Sequence, residues 1–188
     1  MFQLLQTIYW IGLSSWFGSA VFLLLIVGTI FAVMRDQDPT LPKVLSVNID
    51  GDHGVLLSIH LFTKLARVMT TFGFACAGAV LIGLAGQFVF GERAGPRFID
   101  LIVRVGLMIA SLGVMIYDRF VVTPKLASAI ASYIDQADDP EATRENRERV
   151  IRAYHEAIAV LGGLACALGG LILFSANFSQ AVMTVTRE

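Results

Sequence analysis

The chain has 188 residues, 56% of them hydrophobic and only 15% charged, with a mean hydropathy of +0.71. A water-soluble domain of this length does not carry so little charge, so the composition points to an integral membrane protein. The net charge of -1, with no dense basic face anywhere, excludes a nucleic-acid binder.

In chain order, a first span is expected over Ile8 to Met34, with Trp10 and Trp16 near its start, where indole rings favour the membrane-water boundary. No Lys or Arg precedes it and the apolar stretch is too long for a signal-peptide core, so it reads as a retained span. Arg35 ends it and opens a first loop, residues 35–67. Within that loop, Asn48-Ile49-Asp50-Gly51-Asp52-His53-Gly54 imitates a calcium loop. The spacing fails, because the sixth and twelfth positions counted from Asn48 are His53 and Ile59 rather than Gly and Glu. A solvated turn leading to a helix cap fits better. Val55 to Val68 carries His60, Lys64 and Arg67 at helical intervals, as an interfacial helix or the protruding start of span two would.

Span two is expected over residues 68–90, with Ala75, Ala79 and Gly83 forming a small-residue groove for a neighbouring helix. The short link from Gly91 to Pro96 makes spans two and three antiparallel neighbours. Span three covers residues 98–122 and repeats the small-residue interval at Gly106 and Ala110. Near its start, Asp100 and Arg104 are four apart with the acid first, an outer-side ion pair whose guanidinium can snorkel outward. Thr123-Pro124 then reads as a cap and fresh helix start. Leu126, Ile130 and Tyr133 give the new helix one apolar stripe, for packing on the surface or against the charged half of helix four. The two cysteines, Cys76 and Cys166, lie in apolar spans, where a thiol acts as packing filler.

The last helix is announced by Asp139-Pro140-Glu141, an N-cap, a proline at the first helical position and an acid in the first turn. Its first half pairs Arg144 with Glu148, Glu145 with Arg149 and Glu148 with Arg152, contacts of roughly 0.2–0.5 kcal/mol each that keep a projecting helix soluble. Without a break it becomes the apolar run Ala157 to Phe174, so the fourth span covers residues 153–175 and the preceding loop residues 123–152. Gly162, Cys166 and Gly170 form another small-residue line beside Gly163 and Ala167. Of the 14 Lys and Arg, 10 flank the first and third loops, which the positive-inside rule therefore places in the cytoplasm, leaving both termini outside. His60, Asp118, Tyr154, His155 and Glu156 then share the cytoplasmic membrane face as a candidate polar site. In that site His155 accepts a hydrogen bond or a proton, Glu156 and Asp118 are its charge partners, and Tyr154 is an interface anchor.

Trp16-Phe17-Gly18 in span one, Pro124-Lys125 after span three and Tyr154-His155 opening span four together resemble the transmembrane protein 205-like family. The resemblance covers nearly the whole chain, mostly as layout, and implies a small four-span membrane protein; the molecular function of that family is poorly defined. Family members tend to follow the His with Gly, then Ser, then Asn further along the helix. This chain departs from that pattern at Glu156, Ile158 and Gly162.

The expected fold is all-α: a polytopic membrane protein, one domain over residues 1–188, built as an antiparallel bundle of four transmembrane helices with cytoplasmic helical extensions. The expected role is a structural or accessory membrane protein that docks a partner. The alternative is a small transporter or permeation pathway for a proton, a metal or a small amphiphile, suggested by ionisable groups near membrane depth. A second alternative is a metal or b-type haem held by His60 and His155. Without a Ser-His-Asp order, a phosphate loop or a Cys-x-x-Cys-His motif, neither catalysis nor a cofactor is expected. The partners expected are the lipid bilayer, with a second copy or another membrane protein as candidates, in a bacterial inner membrane.

Overall fold

The computed structural model describes residues 2–36, 53–90, 96–136 and 139–185, so the acidic turn around Asp50 lies outside the described residues. Those residues contain helix and no strand. We number the helices α1 (Phe2–Asp36), α2 (His53–Phe90), α3 (Pro96–Tyr117), α4 (Thr123–Asp135) and α5 (Pro140–Val185), with a five-residue π-helical segment, Asp118–Val122, joining α3 to α4. Four windows, Gln3–Thr29, Leu57–Val89, Asp100–Asp135 and Glu141–Ala176, are long and apolar enough to cross a membrane. The chain is therefore all-α and compatible with a four-helix bundle.

The helices outrun the expected spans at both ends. Val55 to Val68 is the protruding start of α2 rather than a separate interfacial helix, and α5 continues past residue 175 as one helix of 46 residues. The largest correction is at Thr123-Pro124. Val122 keeps helical angles (φ -72°, ψ -50°), so the chain enters α4 without leaving the helical basin. A proline inside a helix has no N–H to donate, and its ring collides with the carbonyl four residues back, here that of Phe120. The wider π turn, in which the Thr123 N–H bonds to the Asp118 carbonyl, relieves that collision. A cap was not needed.

The start of α5 follows the sequence. Asp139 Oδ1 accepts from the N–H groups of Glu141 and Ala142 at 3.0 and 3.4 Å, satisfying two of the orphan donors of the first turn. Glu145 and Arg149 form the expected pair at 2.7 Å.

The contacts divide into two compact units. The first comprises Met1–Val21, Thr71–Met115 and Gly163–Glu188. In it α1 and α2 approach until little more than backbone separates them: a Cβ on Gly83 would lie 2.5 Å from Tyr9 Cβ and 3.0 Å from Tyr9 Cα, and one on Gly12 would lie 3.1 Å from the Cys76 carbonyl oxygen. The groove on α2 therefore runs Gly73, Cys76, Ala79, Gly83 and Gly86, close to the expected line, except that Ala75 faces outward. Trp16 is not at a boundary but 1% exposed, against Gly73. Gly106, Ala110 and Gly163 face outward, and a Cβ on either glycine would meet nothing within 4 Å. Cys76 is buried as filler, whereas Cys166 is exposed.

The second unit comprises Phe22–Thr70 and Ile116–Gly162. Its core joins Leu23 and Val27 of α1, Ile59, Phe62 and Ala66 of α2, Leu126, Ile130 and Tyr133 of α4, and Val150, Ala153, Tyr154 and Ala157 of α5. The apolar stripe of α4 thus packs on the charged half of α5, one of the two expected placements. Its far end is closed by polar contacts: Asn146 Nδ2 donates to Gln136 Oε1 at 2.7 Å, and the Thr143 hydroxyl donates to the Gln136 carbonyl at 3.1 Å.

Candidate functional site

Of the five residues proposed for a cytoplasm-side site, Glu156 and Asp118 make polar contacts with other residues, Tyr154 and His155 have ring centroids 6.1 Å apart, and His60 is exposed on α2. Glu156, on α5 immediately before the apolar run, uses both carboxylate oxygens: Lys125 Nζ donates to Oε2 at 2.5 Å and the Tyr117 hydroxyl donates to Oε1 at 3.1 Å. The partner expected for it, His155, projects from the next position of the helix and is exposed. Tyr154 is no boundary anchor. It is 7% exposed, and its ring meets Phe62 edge to face with centroids 5.5 Å apart. His60 is likewise exposed, on α2.

Asp118 opens the π segment and is half-buried. Thr70 Oγ1 lies 3.3 Å from its Oδ2 and 2.8 Å from the Ala66 carbonyl, so one hydroxyl proton serves two acceptors. The Thr123 hydroxyl also bonds to Asp118, and Arg119 acts on the carboxylate through space. The π turn thus hands Asp118 to two threonines and leaves Glu156 to Lys125 and Tyr117. Among the described residues, no group of three or more His, Cys, Asp and Glu side chains could hold a metal ion.

A second polar cluster lies in the other unit, and only one of its members was singled out from the sequence for this role. Arg104 does not snorkel outward; it is 4% exposed, inside the unit. Its Nη1 donates to Gln87 Oε1 of α2 at 3.3 Å, and the Asp100 carboxylate one turn before it acts on it through space. Tyr9, itself 1% exposed, shares a 2.6 Å hydrogen bond with the buried hydroxyl of Ser175 on α5. Four helices therefore each supply one polar side chain, Tyr9, Gln87, Arg104 and Ser175, in a region otherwise filled by Leu13, Val80, Met108, Leu168 and Leu171. Desolvating a guanidinium costs several kcal/mol in general terms, and hydrogen bonds from neighbours offset part of that cost. The missed members carried a faint signal: each is a lone polar residue near the end of an apolar run.

Comparison with protein-family models, with curated proteins and with solved structures gives no match.

Proposed function

We propose that the chain is a multi-pass protein of a bacterial inner membrane, with the first and third loops in the cytoplasm and both termini outside, serving as an accessory protein that docks a membrane-protein partner or a second copy. The cation distribution supports this orientation, and the four apolar helices support the membrane reading. The layout it shares with the transmembrane protein 205-like family agrees with both. The observation that carries the docking role is the α4–α5 hairpin. Asn146 and Thr143, both bonded to Gln136 at the end of α4, and the Tyr133–Val150 seam hold it together from within, while Arg144, Glu145, Glu148, Arg149 and Arg152 are exposed along its outer side. A braced helix with a charged outer side presents side chains in fixed positions, which lowers the ordering cost of binding. The reading assigns no catalytic step and no cofactor.

The test is site-specific photo-crosslinking in native membranes from positions 144, 148 and 152. A discrete adduct that disappears in Arg144→Glu/Arg152→Glu is the expected result.

The buried cluster around Arg104 favours a second reading, a permeation pathway for a small solute, because a cation inside apolar helices commonly marks a solute route. Flux into liposomes that is lost in Arg104→Met, with no adduct from the hairpin, would put this reading first. Neither adduct nor flux would overturn both.

A further inference from the structure

The protruding first turns of α2 carry a surface that the docking role does not use. Between His53 and Thr70 the helix buries Ser58, Ile59, Phe62, Thr63 and Ala66 and exposes Leu57, His60, Leu61, Lys64, Arg67 and Val68. Three nitrogenous side chains, His60, Lys64 and Arg67, thus fall at intervals of four and three along one face, as neighbours on a helix do. Arg67 also has contacts within the chain. Leu57, Leu61 and Val68 flank the row with 40, 44 and 61% of their surface exposed. No Asp or Glu occurs anywhere in α2, so nothing on the helix itself neutralises the row.

The position of the row narrows its occupant. It sits at the beginning of the apolar window Leu57–Val89, so cations and exposed leucines meet where the helix passes from a polar to an apolar surrounding. Water alone would suit the cations and leave the leucines exposed; hydrocarbon alone would suit the leucines and strand the cations. An acidic soluble peptide would offer carboxylates but no long chain to lie against Leu61 and Val68.

We infer that the exposed face His60–Lys64–Arg67 of α2 binds the headgroup of an anionic phospholipid, the phosphate seated on His60 and Lys64 and the acyl chains lying along Leu61 and Val68. The inference rests on the membrane reading above, and charge complementarity is what selects an anionic lipid over a zwitterionic one. Each cation near a charged membrane surface contributes an attraction that fades within a Debye length. The preference is therefore salt-sensitive, and it is lost when His60 and Lys64 are replaced by uncharged side chains.

The experiment uses the full-length protein in detergent, incubated with phosphatidylglycerol or phosphatidylcholine of the same acyl chains and examined by native mass spectrometry. Wild type is expected to keep phosphatidylglycerol about tenfold more tightly than phosphatidylcholine, and to lose most of that preference in high salt. The variant His60→Gln/Lys64→Gln, with both changes on exposed side chains, is expected to bind the two lipids alike, while Arg149→Gln on α5 keeps the wild-type ratio. Equal retention of both lipids by wild type, or an unchanged ratio in the double variant, overturns the inference; should that variant not fold, the wild-type salt dependence decides. Alkaline carbonate extraction separates the two levels. Protein released to the supernatant overturns the membrane reading and this site together, whereas protein kept in the pellet without lipid preference overturns the site alone.

Discussion

One unit of this protein buries charge and the other exposes it, although both are cut from the same long helices. In the first, Arg104, Tyr9, Gln87 and Ser175 sit among leucines and methionines, and α1 and α2 touch through glycines. In the second, the interior is built from aliphatic and aromatic side chains, with only small hydroxyls and Asn146 among its buried polar groups, and the ionised groups Lys125, Glu145 and Arg149 stay outside. The difference teaches how each unit holds together. Close backbone approach and interhelical hydrogen bonds suit a surrounding of lipid, where apolar side chains gain little by leaving hydrocarbon. The second unit relies instead on a broad seam of interlocking apolar side chains closed by polar contacts at one end.

The comparison can be broken most directly at the seam. Tyr133→Ala should destabilise the protein by about 3–5 kcal/mol, seen as a large fall in the midpoint of a thermal melt in detergent. An unshifted melt would mean that α4 is not held by its apolar stripe. Next comes the glycine contact: Gly83→Leu should cost about 3 kcal/mol by forcing α1 off α2, whereas Gly113→Leu, where an added Cβ meets nothing, should stay within about 0.5 kcal/mol. Equal effects would show that the two surfaces are not distinguished by packing.

Arg104 sharpens the contrast further. Arg104→Ala should destabilise by about 2 kcal/mol through lost volume, while Arg104→Met, which keeps the volume and drops the charge, should be neutral or stabilising. A loss of stability in Arg104→Met as large as in Arg104→Ala would make the charge itself structural. At the hairpin, Asn146→Ala should cost about 1 kcal/mol by removing the hydrogen bond that ties α5 to Gln136. The smallest effect is expected for Lys125→Gln, an exposed partner of Glu156, which should leave the melting midpoint where it is.

How far the sequence was legible depended on whether a residue's surroundings could be read from its own helix. Helix number and the cap at Asp139 were legible, because charge-free runs and capping side chains act locally. The outward or inward aspect of Arg104 was not. Asp100 one turn before it suggested a surface pair, but Gln87, which accepts from the guanidinium, comes from another helix. Tyr154 and Trp16 were misjudged for the same reason: an aromatic near the end of a span suits a membrane boundary or a core equally, and Phe62 and Gly73 decide between them. Thr123-Pro124 was ambiguous at shorter range. A proline at the first position of a new helix and a proline relieved by a π turn have the same local sequence.

The π segment also fixes an angle. A π turn holds one residue more than an α turn, so the side chains beyond Val122 are rotated by about 100° from where an uninterrupted α-helix would carry them. Leu126, Ile130 and Tyr133 meet Val150 and Ala153 in that rotated phase. The five residues from Asp118 to Val122 therefore serve as a spacer whose length matters more than its lettering. Inserting one more residue, with no second wide turn to absorb it, would swing the stripe of α4 about 100° away from α5; deleting one would let the turn close as an α turn with the stripe still in phase but with the Pro124 ring against the helix, whereas exchanging the exposed Phe120 for another apolar residue would leave the phase untouched.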